Sequence, residues 1–160
     1  MTRRDLTFLC TIVLSGAQLM GCRHSRSWRS EQELLIAHAI VQDLVAMPGD
    51  EGASKPTVFC VYGRSDGTGR YDPDTRLVAS LREQRINAYP ISQCAAWTVV
   101  ATGEKAYVVG VESLQWWDDA FVRAEGEQAR GMLSGGTWLY TLSRGASGWT
   151  VDTVRGNRIY

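Results

Sequence analysis

Histidine is scarce in this chain, which has only His24 and His38. Neither falls in a segment predicted as strand, and no serine lies in a nucleophile motif, so a Ser–His–Asp triad is excluded. No C-x-x-C pair is present and no histidine has the spacing of a zinc ligand. We therefore assign no catalytic residue, no metal site and no cofactor, and we do not expect an enzyme.

An excess of charge of one sign is also missing. The chain has 17 basic and 17 acidic residues, and this balance argues against nucleic acid as a partner. The glycine-rich loop 64–70 lacks the spacing of a phosphate-binding loop, and Asp66, Asp72 and Asp74 lack that of a calcium loop. Neither a nucleotide nor a calcium ion is therefore predicted there.

The sequence has no apolar run long enough to cross a bilayer, which takes about 20 residues. Its longest apolar stretch, Leu6–Ala17, follows Arg3 and Arg4 and has the length of a signal-peptide core. The residues after it, Leu19-Met20-Gly21-Cys22, resemble the lipobox of bacterial lipoprotein signal peptides. That resemblance implies cleavage before Cys22, which would carry the lipid, palmitate included.

Two other interpretations of the N-terminus remain open. An ordinary secretory signal would be cut after Ala17, so that the mature chain would begin at Gln18. An uncleaved N-terminal anchor is the third alternative. Lipidation is the preferred interpretation, because stable anchoring takes more than one acyl chain and lipoprotein maturation supplies several. Arg23 stands where an Asp would favour inner-membrane retention in Gram-negative lipoproteins. If the organism is Gram-negative, we therefore expect the protein on the periplasmic face of the outer membrane.

Removal of residues 1–21 from the 160 leaves 139, which is one ordinary domain. We divide the chain into a signal peptide (1–21), a lipid anchor with a short basic tether (22–29) and a single α+β domain (30–160). Cys10 leaves with the signal and Cys22 takes the lipid, so Cys60 and Cys94 remain. In an oxidising envelope these two are predicted to form a disulfide, and two buried free thiols are the alternative.

The periodicity predicts two helices. Ser30 is expected to cap the first, whose apolar stripe contains Ile36, Ile40, Leu44 and Met47. Asp72 is expected to cap the second, which ends near Arg85. Both are predicted to pack on one face of an antiparallel sheet.

The remaining apolar segments predict strands. The stretch 57–63 is a central strand, 88–94 is an edge strand because of Pro90, and 95–100 continues it. A period-two strand over 107–116 places Val109 on one face and Leu114 with Trp116 on the other. The chain ends in a Trp138–Thr153 hairpin with stacked aromatic partners across the strands.

Short segments of the second half resemble small exported or lipoprotein domains of bacteria: Val58-Phe59-Cys60-Val61, Asp72-Pro73, Ser92-Gln93-Cys94, and the hairpin from Tyr140-Thr141-Leu142-Ser143-Arg144 to Gly148-Trp149-Thr150-Val151. The resemblance implies the paired cysteines and no activity. The element order also resembles a cone-like sheet of the nuclear-transport-factor-2 type, an analogy of fold alone.

Candidate binding residues come from the aromatic and acidic side chains. Trp116 and Trp117 point to opposite faces of a strand, so one of them is expected to be exposed and able to bind a sugar or a partner. Two acidic residues from the predicted third and fourth strands can face each other as acid and base, with a solvated sheet face as the alternative. These acidic residues are Glu112, Asp118, Asp119, Glu125 and Glu127.

Two functions follow from these features. The first is an envelope lipoprotein that acts as an interaction or structural module and contacts other envelope proteins. The second is a small-ligand pocket, or a weak enzyme, inside a cone-shaped sheet. A cavity of a few hundred cubic ångströms lined by polar groups would favour the second function, and a packed sheet face would favour the first.

Overall fold

The computed structural model of the chain describes residues 26–47, 57–65, 69–131 and 134–159. Residues 1–33 and 34–160 are separate compact units. Of the first unit the structure describes residues 26–33, which are helical. The single domain over 30–160 remains a prediction.

The described residues form two α-helices and ten strands. The helices are α1 (Arg26–Ala46) and α2 (Thr75–Glu83), and a short 3₁₀ helix spans Ile91–Gln93. The strands are β1 (Val58–Tyr62), β2 (Arg64–Ser65), β3 (Arg70–Tyr71), β4 (Asn87–Pro90), β5 (Cys94–Ala95), β6 (Thr98–Val99), β7 (Tyr107–Trp116), β8 (Phe121–Gly131), β9 (Ser134–Gly145) and β10 (Gly148–Ile159). The α+β class is therefore confirmed.

The main sheet has six strands in the order β10-β9-β8-β7-β1-β4. Four strands form an antiparallel meander, but β1 runs parallel to both of its neighbours, β4 and β7. The prediction of a wholly antiparallel sheet is wrong in this respect, because the connections through α2 and through the 91–106 segment return the chain in the direction of β1. β1 is fully buried, as expected of a central strand, and β4 lies at the sheet edge.

Both helices pack on one face of the sheet, as predicted. Ile36, Ile40 and Leu44 of α1 are fully buried there, and the α2 residues Leu77, Val78 and Leu81 join the same core. Val109, Val111, Val122, Tyr140 and Leu142 supply the sheet side of that core. Because side chains of this size fill the middle of the face, that region is packed. A cavity of about 500 Å³ lies beside it, lined by residues from the ends of both helices and the start of the sheet: Gln42, Val45, Ala46, Thr57, Phe59, Gln84, Arg85 and Ile86.

Both predicted helix starts are displaced. α1 begins at Arg26, so Ser30 lies inside the helix rather than at its cap. α2 is capped by Asp74, whose side chain accepts from the Arg76 amide at 2.8 Å. Asp72 instead accepts hydrogen bonds from the Ser92 amide and hydroxyl. Asp72 thus ties the start of the helical connection to the 3₁₀ turn.

A β-bulge corrects the predicted faces of β7. Val111 pairs with Gly126 and Ser113 pairs with Glu125, so Glu112 is an extra residue without a partner across the strands. An extra residue shifts the alternation of side chains by one position. Leu114 and Trp116 consequently pack against the helix-facing core, on the same side as Val109.

The last hairpin is longer than predicted, spanning Ser134–Ile159. A second bulge, after Val151, places Thr153 opposite Thr141 and Val154 opposite Tyr140. The aromatic contact of Trp149 is also different from the predicted one, because its ring meets Trp116 edge-on at 5.7 Å.

The segment after β4 does not continue as one strand. Residues 94–99 form a separate two-stranded hairpin whose turn is Ala96-Trp97. Both turn residues have positive φ, 45° for Ala96 and 60° for Trp97. Two successive left-handed residues match the tight turn preferred in hairpins, where glycine or asparagine is usual. Neither residue here is of those types, so the turn is strained by roughly 1–2 kcal/mol per residue.

Candidate functional site

The predicted disulfide is present in the structure, between Cys60 in β1 and Cys94 at the start of β5. Their Cα atoms are 6.3 Å apart, and the bond closes a loop of 34 residues. Cys60 is fully buried and Cys94 is half-buried. The bond therefore fastens the 94–99 hairpin to the central strand of the sheet. Cys22, the predicted lipidation site, lies outside the described residues.

The two adjacent tryptophans are in different surroundings, as expected. Trp116 packs against the core and contacts Trp149. Trp117 is 58% exposed, and the guanidinium of Arg123 lies 5.1 Å from its ring centroid. Phe121, opposite Trp117 at the same hairpin end, is also exposed. Only Trp117 of the predicted pair is therefore available as an exposed aromatic surface.

Two of the five acidic candidates do come together. The Tyr62 hydroxyl lies 2.7 Å from Glu112 Oε1 and 2.9 Å from Glu127 Oε2, and its single proton can be donated to either carboxylate. The bulge at Glu112 turns this side chain to the face away from the helices, where Tyr62 and Glu127 already lie. Gly110, between them in the sheet, provides the room for the Tyr62 ring. The other three acidic residues do not join the cluster.

Arg70 completes this polar cluster. Its guanidinium forms an ion pair with Glu127 and lies 5.1 Å from the centroid of the Tyr62 ring. Burial is the largest single influence and lowers the pKa of Arg70, but the charge of Glu127 and the interactions with Tyr62 together outweigh burial, so this pKa lies above its ordinary value. Because Arg70 belongs to β3, the ion pair holds the β2–β3 hairpin against the sheet.

The same surroundings keep Tyr62 neutral. Burial of its ring raises the pKa of the Tyr62 phenol far above its ordinary value, and the charges of Glu127 and Glu112 raise it further. Each polar group of the cluster has a partner, and Glu127 is almost fully buried. These partners offset the cost of burying the Glu127 carboxylate, so removal of one partner would destabilise the fold. We therefore interpret the facing acids as structural.

A cavity of about 470 Å³ lies at the end of the sheet where β7 begins and β8 ends. We call it the end cleft. Its lining combines one small turn, two cationic side chains and several hydroxyl groups: Ala96, Trp97, Thr98, Lys105, Ala106, Tyr107, Arg130 and Ser134. No carboxylate is among these described lining residues. Its volume is within the range of small-molecule sites.

Arg130 is held in place at the cleft wall. Its Nε donates to Ser134 Oγ at 2.9 Å, and one of its terminal nitrogens donates to the Tyr107 hydroxyl at 3.4 Å. Tyr107 is in turn fixed through its ring contact with Phe59. The guanidinium is thus positioned by side chains of two other strands.

The strained hairpin forms the opposite wall. Lys105 pairs with Thr98 in a single β-bridge, and the Ala106 amide donates to the Trp97 carbonyl at 2.9 Å. Trp97 also lines a second, smaller cavity of about 170 Å³ together with Arg70 and Cys94. Its buried indole N–H has no hydrogen-bond partner among the residues that the structure describes. A buried donor without a partner costs roughly 1–3 kcal/mol.

Sequence reasoning missed Lys105, Arg130 and Trp97 as site residues. Lys105 stood in a predicted turn, Arg130 closed a polar strand, and Trp97 lay within a predicted strand. No local pattern marks these residues, because the tight turn has Ala96-Trp97 where glycine or asparagine is usual.

Comparison with known proteins finds no match: no protein-family model, no curated protein and no solved structure matches the chain. Among the described helices, none is long and apolar enough to cross a membrane. The described part of the chain also contains no cluster of three or more potential metal-ligating side chains.

Proposed function

We propose that this protein is a lipid-anchored component of the bacterial envelope whose folded part binds a small ligand in the end cleft. The observation that carries the ligand-binding role is the cavity of about 470 Å³, lined by Lys105, Arg130 and three hydroxyl-bearing residues. Ligand sites are typically concave, with an apolar wall and a few fixed polar groups. The end cleft has these properties and is lined by two cationic side chains, whereas the cavity of about 500 Å³ at the helix ends has one, Arg85.

The lipid anchor is supported by the sequence alone. Leu19-Met20-Gly21-Cys22 follows a short apolar run and two arginines. We expect Cys22→Ala to release the protein from the membrane fraction or to leave it unprocessed. Mass spectrometry of the mature N-terminus is the measurement, and a chain beginning at Gln18 without lipid mass would contradict the anchor.

Ligand binding is tested on the full chain purified in detergent. Each of the six tryptophans contributes an indole N–H peak in a nitrogen-15 NMR spectrum, and the Trp97→Phe variant identifies the peak of Trp97. A set of small aromatic probes, charged and neutral, is titrated into the protein. We expect at least one probe to shift the Trp97 peak in a saturable manner while the exposed Trp117 peak stays in place. If no probe shifts the Trp97 peak, the ligand-binding proposal fails.

A second candidate function is an interaction module. The observation in its favour is the exposed aromatic pair, Trp117 and Phe121, at the free end of the β7–β8 hairpin. Aromatic side chains of this kind are enriched where proteins meet partners. A probe that shifts the Trp117 peak but not that of Trp97 would favour this second candidate.

The cone-like sheet of the nuclear-transport-factor-2 type is also a proposal. The order helix, strand, helix and meander supports it, and so do the bulges, which bend strands.

A further inference from the structure

We infer that the end cleft selects anions: its ligand carries a carboxylate or phosphate group that binds between Arg130 and Lys105 against the Trp97 ring. This inference rests on the proposed ligand-binding function and specifies its ligand. The protein as a whole has balanced charge, so the concentration of positive charge in the cleft is local.

The charged side chains that line the end cleft are all positive among the described residues. Lys105 and Arg130 come from different parts of the chain and line the same cavity, and its described lining residues include no carboxylate. The nearest acidic neighbour in sequence, Glu104, accepts a hydrogen bond from Thr102 at 3.0 Å and is not among the lining residues. A ligand with negative charge would therefore meet two cations, with no acid among the described lining residues.

The guanidinium of Arg130 is preorganised to bind an anion. A guanidinium binds a carboxylate or phosphate through a planar pair of N–H groups, and fixing its plane in advance lowers the entropy lost on binding. The contacts of Arg130 with Ser134 and Tyr107 fix that plane. Lys105 has its backbone fixed by the bridge to Thr98. Its flexible ammonium group can adjust to the anion as a point charge.

The 94–99 hairpin, which forms the other wall of the cleft, is strained. Ala96 and Trp97 both adopt positive φ, and both line the end cleft as well as the smaller cavity. Strained backbone persists only where the surrounding structure enforces it, and such positions concentrate at ligand sites. Here the enforcing contacts are the disulfide at Cys94 and the bond from Ala106 to the Trp97 carbonyl. They hold a large aromatic face beside the two cations.

The experiment compares three probes of similar size on the full chain in detergent: phenyl phosphate, phenylacetate and the neutral phenylacetamide. Binding is followed by the Trp97 indole peak and by calorimetry. We expect at least one of the two anions to bind tenfold or more tightly than the neutral amide. The stronger of the two anions identifies phosphate or carboxylate as the preferred group.

The variants assign the selectivity to the cleft. Arg130→Met is expected to weaken binding of the preferred anion at least tenfold, and Lys105→Met severalfold, with little change for phenylacetamide. Arg155→Met, in the exposed part of β10, is the matched control and should bind like the wild type. Lys105 has an exposed side chain, so Lys105→Met and Lys105→Glu keep the test decisive if Arg130→Met does not fold.

The outcomes separate this inference from the proposed function. Equal affinity for the anions and the amide, unchanged in the Lys105 and Arg130 variants, would overturn anion selection while leaving ligand binding intact. Absence of any saturable shift of the Trp97 peak would overturn both. Anion binding that weakens as much in Arg155→Met as in Lys105→Met would show general charge attraction and would also overturn the inference.

Discussion

Loss of the Cys60–Cys94 disulfide is expected to lower the free energy of unfolding by about 3–4 kcal/mol. The bond closes a loop of 34 residues, and chain-entropy arguments give a value of that size for such a loop. A typical domain is stable by only about 5–15 kcal/mol, so the loss would remove a large share. The measurement is urea denaturation of the Cys60→Ala/Cys94→Ala variant and of the wild type with and without reductant.

The reduced wild type is the matched control for this experiment. It keeps both cysteine side chains but lacks the bond, so it separates loss of the cross-link from loss of sulfur packing at the fully buried Cys60. We expect the reduced protein to account for most of the effect of the double variant. Two free thiols at these positions in unfolded, unreduced protein would contradict the disulfide.

The disulfide also links stability to the proposed site. Cys94 begins the short hairpin that carries Trp97, and the hairpin has only two residues in each strand. Without the bond its tight turn would be held mainly by the hydrogen bonds of residues 97–106, and the strain at Ala96 would favour its relaxation. Reduction should therefore move the Trp97 indole peak and weaken ligand binding even where the protein stays folded.

Much of the fold could be predicted from the sequence because it depends on local periodicity. The α1 stripe of Ile36, Ile40 and Leu44 repeats every four residues, and this spacing puts all three on the buried side. The apolar run 58–62 has no polar residue to face water, which requires a strand covered on both sides. The pairing of Cys60 with Cys94 followed from the exclusion of the other two cysteines.

The incorrect predictions concern features that tertiary contacts decide. Alternation along β7 predicted Leu114 on the face opposite Val109, but the bulge at Glu112 reverses the faces. The residue type of Glu112 does not predict a bulge. The bulge becomes favourable because the Glu112 carboxylate then reaches the Tyr62 hydroxyl. A contact between residues 50 positions apart leaves no pattern within the strand.

The end cleft was unpredictable for a similar reason. Lys105 and Arg130 have no characteristic spacing, and they line one cavity only because β7 and β8 pair and the 94–99 hairpin returns to the start of β7. Charged residues at strand ends are most simply interpreted as solvated. The cleft therefore depends on the register of the sheet and not on a pattern within any one segment.

Replacement of Gly110 by alanine is expected to destabilise the protein by about 3 kcal/mol, near the upper end of the usual cost of overpacking. A Cβ atom at this position would lie 2.4 Å from the Tyr62 carbonyl oxygen and 2.6 Å from two atoms of its ring. The ring is fully buried, and the carbonyl belongs to the paired central strand, so neither group has room to move. Denaturation in urea measures the change.

Gly156→Ala is the matched control, since this glycine also lies in a strand of the same sheet and a Cβ there would meet nothing within 4 Å. Its stability should be unchanged or higher by up to about 1 kcal/mol, because alanine is favoured over glycine within a strand. A Gly110→Ala variant as stable as Gly156→Ala would show that the strand accommodates the methyl group.

A double variant identifies which contact dominates. In Tyr62→Ala/Gly110→Ala the ring contacts disappear, but the contact with the residue-62 carbonyl oxygen remains. We therefore expect only partial recovery when Gly110→Ala is introduced into the Tyr62→Ala background. Full recovery would mean that the side chain alone occupies the space above Gly110, and that the glycine serves to seat the Tyr62 ring rather than to allow the close approach of β1 and β7.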